Sequence, residues 1–535
     1  MDGMTVGHMS GLGTIYDWNF TTTPQIHANN RIIPQNRGHV LGGSSALNLL
    51  SWDRGVKADF DAWEELGNPG WNWANMHPAM EAQEIYQATS VEGSAGLVGQ
   101  GVGETGPIHF LVNRFSPPQQ EAFFPTMQNL GLNQTYEFLN GDMIGWMRHT
   151  SNILGTNYTR SYAPTFLTIG GPNLHYMLNT TVAKVNLDST CRSATGVTLH
   201  DRTVITAKKE VILSAGSLQS PQLLELSGIG NKTILTAAGI KQLVNLPGVG
   251  ENLQDHARVT VAYQLRDNYT SPDILRLNAT YAAQQLNDYH HNIPSWYDET
   301  SSGYAYMQWQ QAQGINAPAF ETWGKTAAVQ GSSIDRKKLQ NLLDVSKRVP
   351  QLEVLFDDGY LGNKGYPAVN SSLYGKQFFT LIASINHPFS RGSTHINSTN
   401  PSGHPVFNPN YLSNDYDLQA IAQAAKYMRH IAQTAPMSYT WDTEYEPGLQ
   451  NVTTDAEWVQ YARNNVLSIW HPIGTTALLP QKDGGVVSPE LKVYGIRNLR
   501  VVDAGVIPIC ISGHIQTAVY GIAERAAQMI AKEWS

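Results

Sequence analysis

Cysteine is scarce in this chain: Cys191 and Cys510 are the only two among 535 residues. That number excludes a disulfide framework, and nothing around either residue asks for a single bridge. No apolar run reaches the roughly 18 residues of a membrane span. No long Lys/Arg run exists, and the net charge is -8, so a nucleic-acid footprint is absent. Tyr289-His290-His291 has no cysteine or carboxylate at ligand spacing; it reads as loop, and no metal site is expected. Met1-Asp-Gly-Met-Thr5 has neither the basic nor the apolar part of a signal peptide. Internal repeats and low-complexity tracts are missing too.

What is present is an ordinary globular composition, long enough for two or more domains. Asn-X-Ser/Thr triplets stand at Asn19, Asn133, Asn157, Asn179, Asn231, Asn268, Asn278, Asn370, Asn397 and Asn451. Their abundance points to a protein of the secretory pathway.

The first 35 residues read as loop. Gly42-Gly43-Ser44-Ser45 then opens a helix-like run, a turn with bare backbone N–H groups suited to an anion. Residues 59–66 read as an amphipathic helix. Gly101-Val-Gly-Glu-Thr-Gly106 fits G-x-G-x-x-G formally. No strand precedes it and Pro107 follows at once, so it reads as flexible loop. From residue 173 the texture turns to strands: 173–178, 181–187, 196–200 and 204–207. Residues 210–216 read as a buried parallel strand, followed by a helix that Ser220-Pro221 opens and Gly228 stops. Residues 258–460 mix strands such as 377–382 with a clear helix over 416–433, capped by Ser413 or Asn414.

Two histidines close the pattern. His471 lies in Ser468-Ile469-Trp470-His471, and His514 in Ser512-Gly-His514-Ile-Gln516, just before a helix over 517–534. Between them, residues 498–503 read as a buried strand ending in Asp503. Histidine exchanges protons near neutral pH. A helix N-terminus favours negative charge in front of it. A base and a place for an anion are what alcohol oxidation by a flavin requires.

Four blocks in register resemble the glucose-methanol-choline (GMC) oxidoreductase family. They are residues 38–48, residues 216–230, Pro247-Gly-Val-Gly-Glu-Asn-Leu-Gln-Asp-His256, and the closing block with His471, Asp503 and His514. The closing run is similar to the fungal aryl-alcohol oxidase and patulin synthase-like branch, some of whose members tailor secondary metabolites. The resemblance implies an α/β fold (α+β overall): a doubly wound FAD-binding domain with an inserted substrate domain of antiparallel sheet and helices. It divides the chain into FAD-domain segment and lid loop (1–55), connecting and substrate-domain segment (56–170), FAD-domain segment (171–257), substrate domain (258–460) and closing FAD-domain segment (461–535).

Carried over by position, Gly42, Gly43, Ser44 and Asn48 would line the pyrophosphate and flavin, and Val182 the adenine. Asp503 and Ala504 would meet the ribityl and pyrophosphate, and Gln516 the pyrimidine edge. His471 would be the base that takes the hydroxyl proton as hydride leaves for flavin N5. His514 would steady the same oxygen. Ile469 and Trp470 would wall the substrate. Their apolar character, with Leu467 before them, points to a primary aryl, allylic or furanic alcohol, with O2 or another acceptor regenerating the flavin.

Family members open with a βαβ unit of roughly 30 residues that carries the dinucleotide fingerprint. This chain starts at the loop after it, and the expectation is a truncated gene model. Two alternatives stay open: a non-redox lyase or cyclase with FAD as scaffold, and a flavin-free inactive fragment.

Overall fold

The computed structural model describes residues 11–87, 98–300 and 303–535. Helix α1 (Lys57–Glu65) begins where Asp59 Oδ2 accepts the Val56 N–H at 3.2 Å. It ends before Gly67, which takes a left-handed φ of +104°. Helix α2 (Trp73–Glu81) is capped by Asn72, whose side chain accepts from the Asn75 N–H at 3.1 Å. The 101–106 stretch is a loop folded against α2's end. A Cβ at Gly103 would lie 2.0 Å from Glu81 O, and one at Gly106 1.9 Å from Glu84 N. Close backbone approach, not phosphate binding, explains these glycines.

Strands β1 (Val182–Leu187), β2 (Ala194–Leu199) and β3 (Val204–Thr206) form an antiparallel sheet. Strand β4 (Val211–Leu213) runs into helix α3 (Gln219–Leu226), which Gly228 terminates at φ +79°. Then come β5 (Ala257–Leu265), helix α4 (Ala279–His290), β6 (Gly303–Met307), β7 (Leu352–Asp358), β8 (Phe378–Ile385) and helix α5 (Asp415–Gln433). The chain closes with β9 (Trp441–Glu446), α6 (Asp455–Asn465), β10 (Leu467–Ser468), β11 (Leu499–Val501) and α7 (Gln516–Trp534).

The large sheet has six strands in the order β6-β7-β8-β5-β9, with β10 also on β5, all antiparallel. One face presents Val259, Val261 and Tyr263 of β5 and Val354 and Phe356 of β7 to α5. Helix α5 answers with Leu418, Ile421, Ala425, Met428 and Ile431, the predicted stripe, and Asn414 caps it at 3.0 Å. A fully buried side chain of this size contributes about 1.5–3 kcal/mol, so this face anchors the sheet. The other face carries the site.

Strand β4 pairs in parallel with β11, Val211 to Leu213 against Leu499 to Val501. Val211 and Leu213 are buried but Ile212 is 43% exposed, so the strand expected to be wholly buried is covered on one face only. Residues 173–178, expected as a strand, form none; Leu174, Tyr176, Met177 and Leu178 are exposed. Among the described residues no strand lies alongside, and an unpaired strand has no ladder to hold it. The histidine pair at 290–291, expected in a loop, ends α4. Asn278 caps that helix by accepting the Tyr281 N–H at 3.0 Å, and its Ala- and Gln-rich body favours helix. Both cysteines are free. Among the described residues no helix is long and apolar enough to cross a membrane.

Candidate functional site

Register builds the site. Tyr306 pairs with Glu353, Glu353 with Ser384, and Ser384 with Arg258. Directly opposed residues share a sheet face, so these four make one cross-strand row. His256, just before β5, lies on the same face as Arg258. The turn after β10, the segment before α7 and residues 51–54 close against this row.

There His256 Nδ1 lies 3.0 Å from His471 Nδ1. The His471 and His514 rings stand 4.8 Å apart at 81°. His514 Nε2 lies 2.9 Å from Glu353 Oε1, and the His514 backbone N–H donates to Asp53 Oδ1 at 2.9 Å. Asp53 Oδ2 also meets His149 Nε2 at 2.9 Å. The Tyr306 hydroxyl sits 2.7 Å from Glu353 Oε1 and 2.9 Å from Asp53 Oδ2, tying both carboxylates to the sheet.

The two histidines differ in charge because their neighbours differ. Burial works against a charged His514, but Glu353 and Asp53 outweigh it and raise its pKa to about 9. Burial, joined by His514 and His256, pushes His471 well below the ordinary histidine value. Burial takes His256 down to about 4. Near pH 7, His514 is therefore cationic and His471 neutral. Two neutral imidazoles meeting through Nδ1 need one donor. If His471 Nδ1–H donates to His256, His471 Nε2 keeps its lone pair as a base.

A rigid turn holds His471. Its backbone N–H donates to Asp255 Oδ1 at 2.8 Å, and Ser468 Oγ donates to Asp255 Oδ2 at 2.6 Å. The Tyr411 hydroxyl also donates to Asp255 Oδ2. Burial raises the Asp255 pKa to about 6. Trp470 takes φ +64°, a strained value for a bulky residue, and its N–H donates to Ser468 Oγ at 2.6 Å. Ile469 is half-buried and packs into the cluster of Tyr304, Leu355 and Ile382.

The predicted cofactor residues fall into four groups. Gly42 and Gly43 take φ +93° and +54°, and a Cβ at Gly43 would meet nothing within 4 Å. Ser44 Oγ accepts the Gly38 N–H at 3.1 Å, closing that turn. Asn48 Nδ2 donates to Gln516 Oε1, and Gln516 Nε2 donates to Asn152 Oδ1 at 3.1 Å. Asp503 Oδ2 accepts from the Gly216 N–H at 2.9 Å and from Ser220 Oγ at 2.5 Å, while Oδ1 accepts the Gly505 N–H at 2.8 Å. The carboxylate thus fastens the Gly216 turn to the end of β11, beside Ala504. Val182 opens β1 in the three-stranded sheet.

At two turns these residues leave room for the phosphates of a cofactor. The Gly43 and Gly216 turns are both left-handed, with open space where a Cβ would stand. Asn48 and Gln516 add a polar rim a few residues from the catalytic face.

Glu353, Asp53, His149, Tyr306 and Arg258 escaped sequence reasoning. His256 ended a recognised block but received no role there. A signal existed for Glu353: it is a lone charge inside the apolar Leu352-Glu-Val-Leu-Phe356. Among the described residues no group of three His, Cys, Asp or Glu side chains is placed to hold a metal ion.

Comparison with known proteins adds the family. GMC oxidoreductase family models match residues 5–258 and 388–523. A GMC oxidoreductase family protein of Malassezia sympodialis, Mala s 12, is 32% identical over 97% of this chain and 84% of its own length. An FAD-dependent oxidoreductase from Chaetomium thermophilum superimposes with a TM-score of 0.87 at 29% identity, covering 97% of this chain and 90% of its own. A fungal aryl-alcohol oxidase gives 0.84 at 26% identity, covering 97% and 90%. The chain therefore belongs to the GMC oxidoreductase family, and its cofactor is FAD.

Proposed function

We propose that the protein oxidises a primary alcohol of aryl, allylic or furanic type to its aldehyde. The observation that carries this reading is the contact of a neutral His471 with a cationic His514, rings 4.8 Å apart. The substrate hydroxyl lies between them. His471 Nε2 takes its proton. The Nδ1–H of His514, whose Nε2 faces Glu353, donates to the same oxygen and stabilises the charge that forms. The chemistry that bound FAD supplies is acceptance of the hydride from the carbinol carbon. Ile469, Leu355 and Ile382 exclude water from the carbon side. Gly42, Gly43, Asn48 and Gln516 would hold the cofactor.

The aryl-alcohol oxidase neighbour supports this substrate class. We also read residues 258–460, which hold five strands of the large sheet, as a substrate domain over segments 171–257 and 461–535. The sequon asparagines support passage through the secretory pathway, since all except Asn231 are exposed.

The test is anaerobic mixing of the FAD-loaded protein with benzyl, allyl and furfuryl alcohols. Bleaching of the flavin with aldehyde formation is the expected result. An unchanged flavin spectrum with every alcohol contradicts the reading.

A further inference from the structure

The cross-strand row that carries Glu353 reaches Arg258 two strands away. Strands lie about 4.8 Å apart, which places the two backbone positions on the order of 10 Å apart on one face. Arg258 is only 9% exposed. Its Nε donates to Ser468 O at 3.0 Å, and its guanidinium lies 5.5 Å from the Trp470 ring centroid. Both contacts are to the turn that presents His471. Nη1 is buried and has no hydrogen-bond partner. Asp357 favours the charge, yet burial still lowers the Arg258 pKa to about 10.

Two residues along the same face, Thr260 Oγ1 is also buried without a partner. Thr260 opposes Ile382, which opposes Leu355. Arg258, with its unmet donor, thus faces Glu353 across Ser384, and the apolar Ile382 and Leu355 lie in the row alongside. Native proteins rarely leave a buried guanidinium donor unmet unless something else completes it. A planar, forked cation matches a carboxylate better than any neutral group.

We propose that Arg258 binds a carboxylate on the substrate, remote from the carbinol, so that the preferred alcohols are aromatic or short-chain hydroxy acids. Trp470 and the Ser468 carbonyl fix the plane of the guanidinium, and the apolar Ile382 and Leu355 of the adjacent row pack against the ring or chain. The inference rests on the alcohol-oxidation reading for the second end of the substrate, but the carboxylate site is testable without turnover.

The experiment uses the FAD-loaded protein and its Arg258→Met and Arg258→Lys variants. Two readouts are taken: calorimetric titration with benzoate, and kcat/KM for 4-(hydroxymethyl)benzoate relative to 4-methylbenzyl alcohol. Arg258→Met is expected to weaken benzoate binding and to lower that ratio, each by about 10- to 100-fold, the usual loss for a charge-assisted bond. Arg258→Lys, which keeps the charge and loses the fork, should fall between and decides the matter if the Met variant does not fold. An unchanged benzoate affinity overturns the proposal. So does an equal loss on both alcohols, which would make Arg258 a prop for the Ser468–Trp470 turn. If no alcohol is oxidised yet benzoate binding still depends on Arg258, the carboxylate site stands and the oxidation reading falls.

Discussion

His514 Nε2 stands 2.9 Å from the carboxylate of Glu353, whereas His471 Nδ1 meets only another imidazole, His256, at 3.0 Å. One histidine is thereby held charged and the other neutral. An acid and a base result from one residue type, and the protein's pH behaviour follows.

The rate of flavin reduction should be governed by His514 on the alkaline side, falling as pH rises through about 9. On the acid side it should hold well below the ordinary histidine value of about 6.5, because His471 is depressed. Stability shares the sign. The folded pKa of His514 exceeds its unfolded value, so its contribution is full below about 6.5. That contribution is lost as pH rises through about 9. Stopped-flow pH profiles and thermal melts at pH 6, 8 and 10 check both. A rate unchanged from pH 7 to pH 10 would contradict the assignment.

Replacing Glu353 by Gln removes one of the two carboxylates that raise His514. The alkaline limb should move to lower pH, and the rate near pH 8 should fall about 10- to 100-fold, the range for losing a stabilising charge-assisted bond. Asp53, still bonded to the His514 backbone N–H, keeps that backbone in place. A limb that stays where it was would show that Glu353 does not set the charge.

Much of this was legible in the sequence, for a physical reason. Helices α5 and α7 announce themselves by local periodicity, and His471 and His514 by blocks of contiguous residues. Glu353 is 161 residues from His514 and meets it only through strand register, which no local pattern encodes. The failures have the same origin. Residues 173–178 look like a strand, but a strand needs a neighbour. The 290–291 histidines look like loop, but a cap twelve residues earlier, Asn278, starts the helix.

Arg54 and Glu84 form an ion pair with both side chains fully buried, and Glu84 also accepts from Trp52 Nε1 at 2.6 Å and the Gly103 N–H at 3.1 Å. Glu84→Ala leaves the buried guanidinium without its counter-charge and should destabilise the protein by about 3–5 kcal/mol. Urea unfolding followed by circular dichroism measures it; a loss below about 1 kcal/mol, the value of an exposed pair, would contradict the buried geometry.

Produced through a eukaryotic secretory pathway, the protein should carry N-linked glycans at its exposed sequons. Endoglycosidase treatment should then increase its gel mobility. No shift would contradict the secretory reading.

The central claim is that His471 takes the substrate's proton. The most direct measurement is single-turnover flavin reduction by benzyl alcohol, without oxygen, in the wild type and in His471→Ala. Loss of a general base predicts a rate lower by about 100- to 10,000-fold, with the flavin still bound. Equal rates in the two proteins would contradict the account.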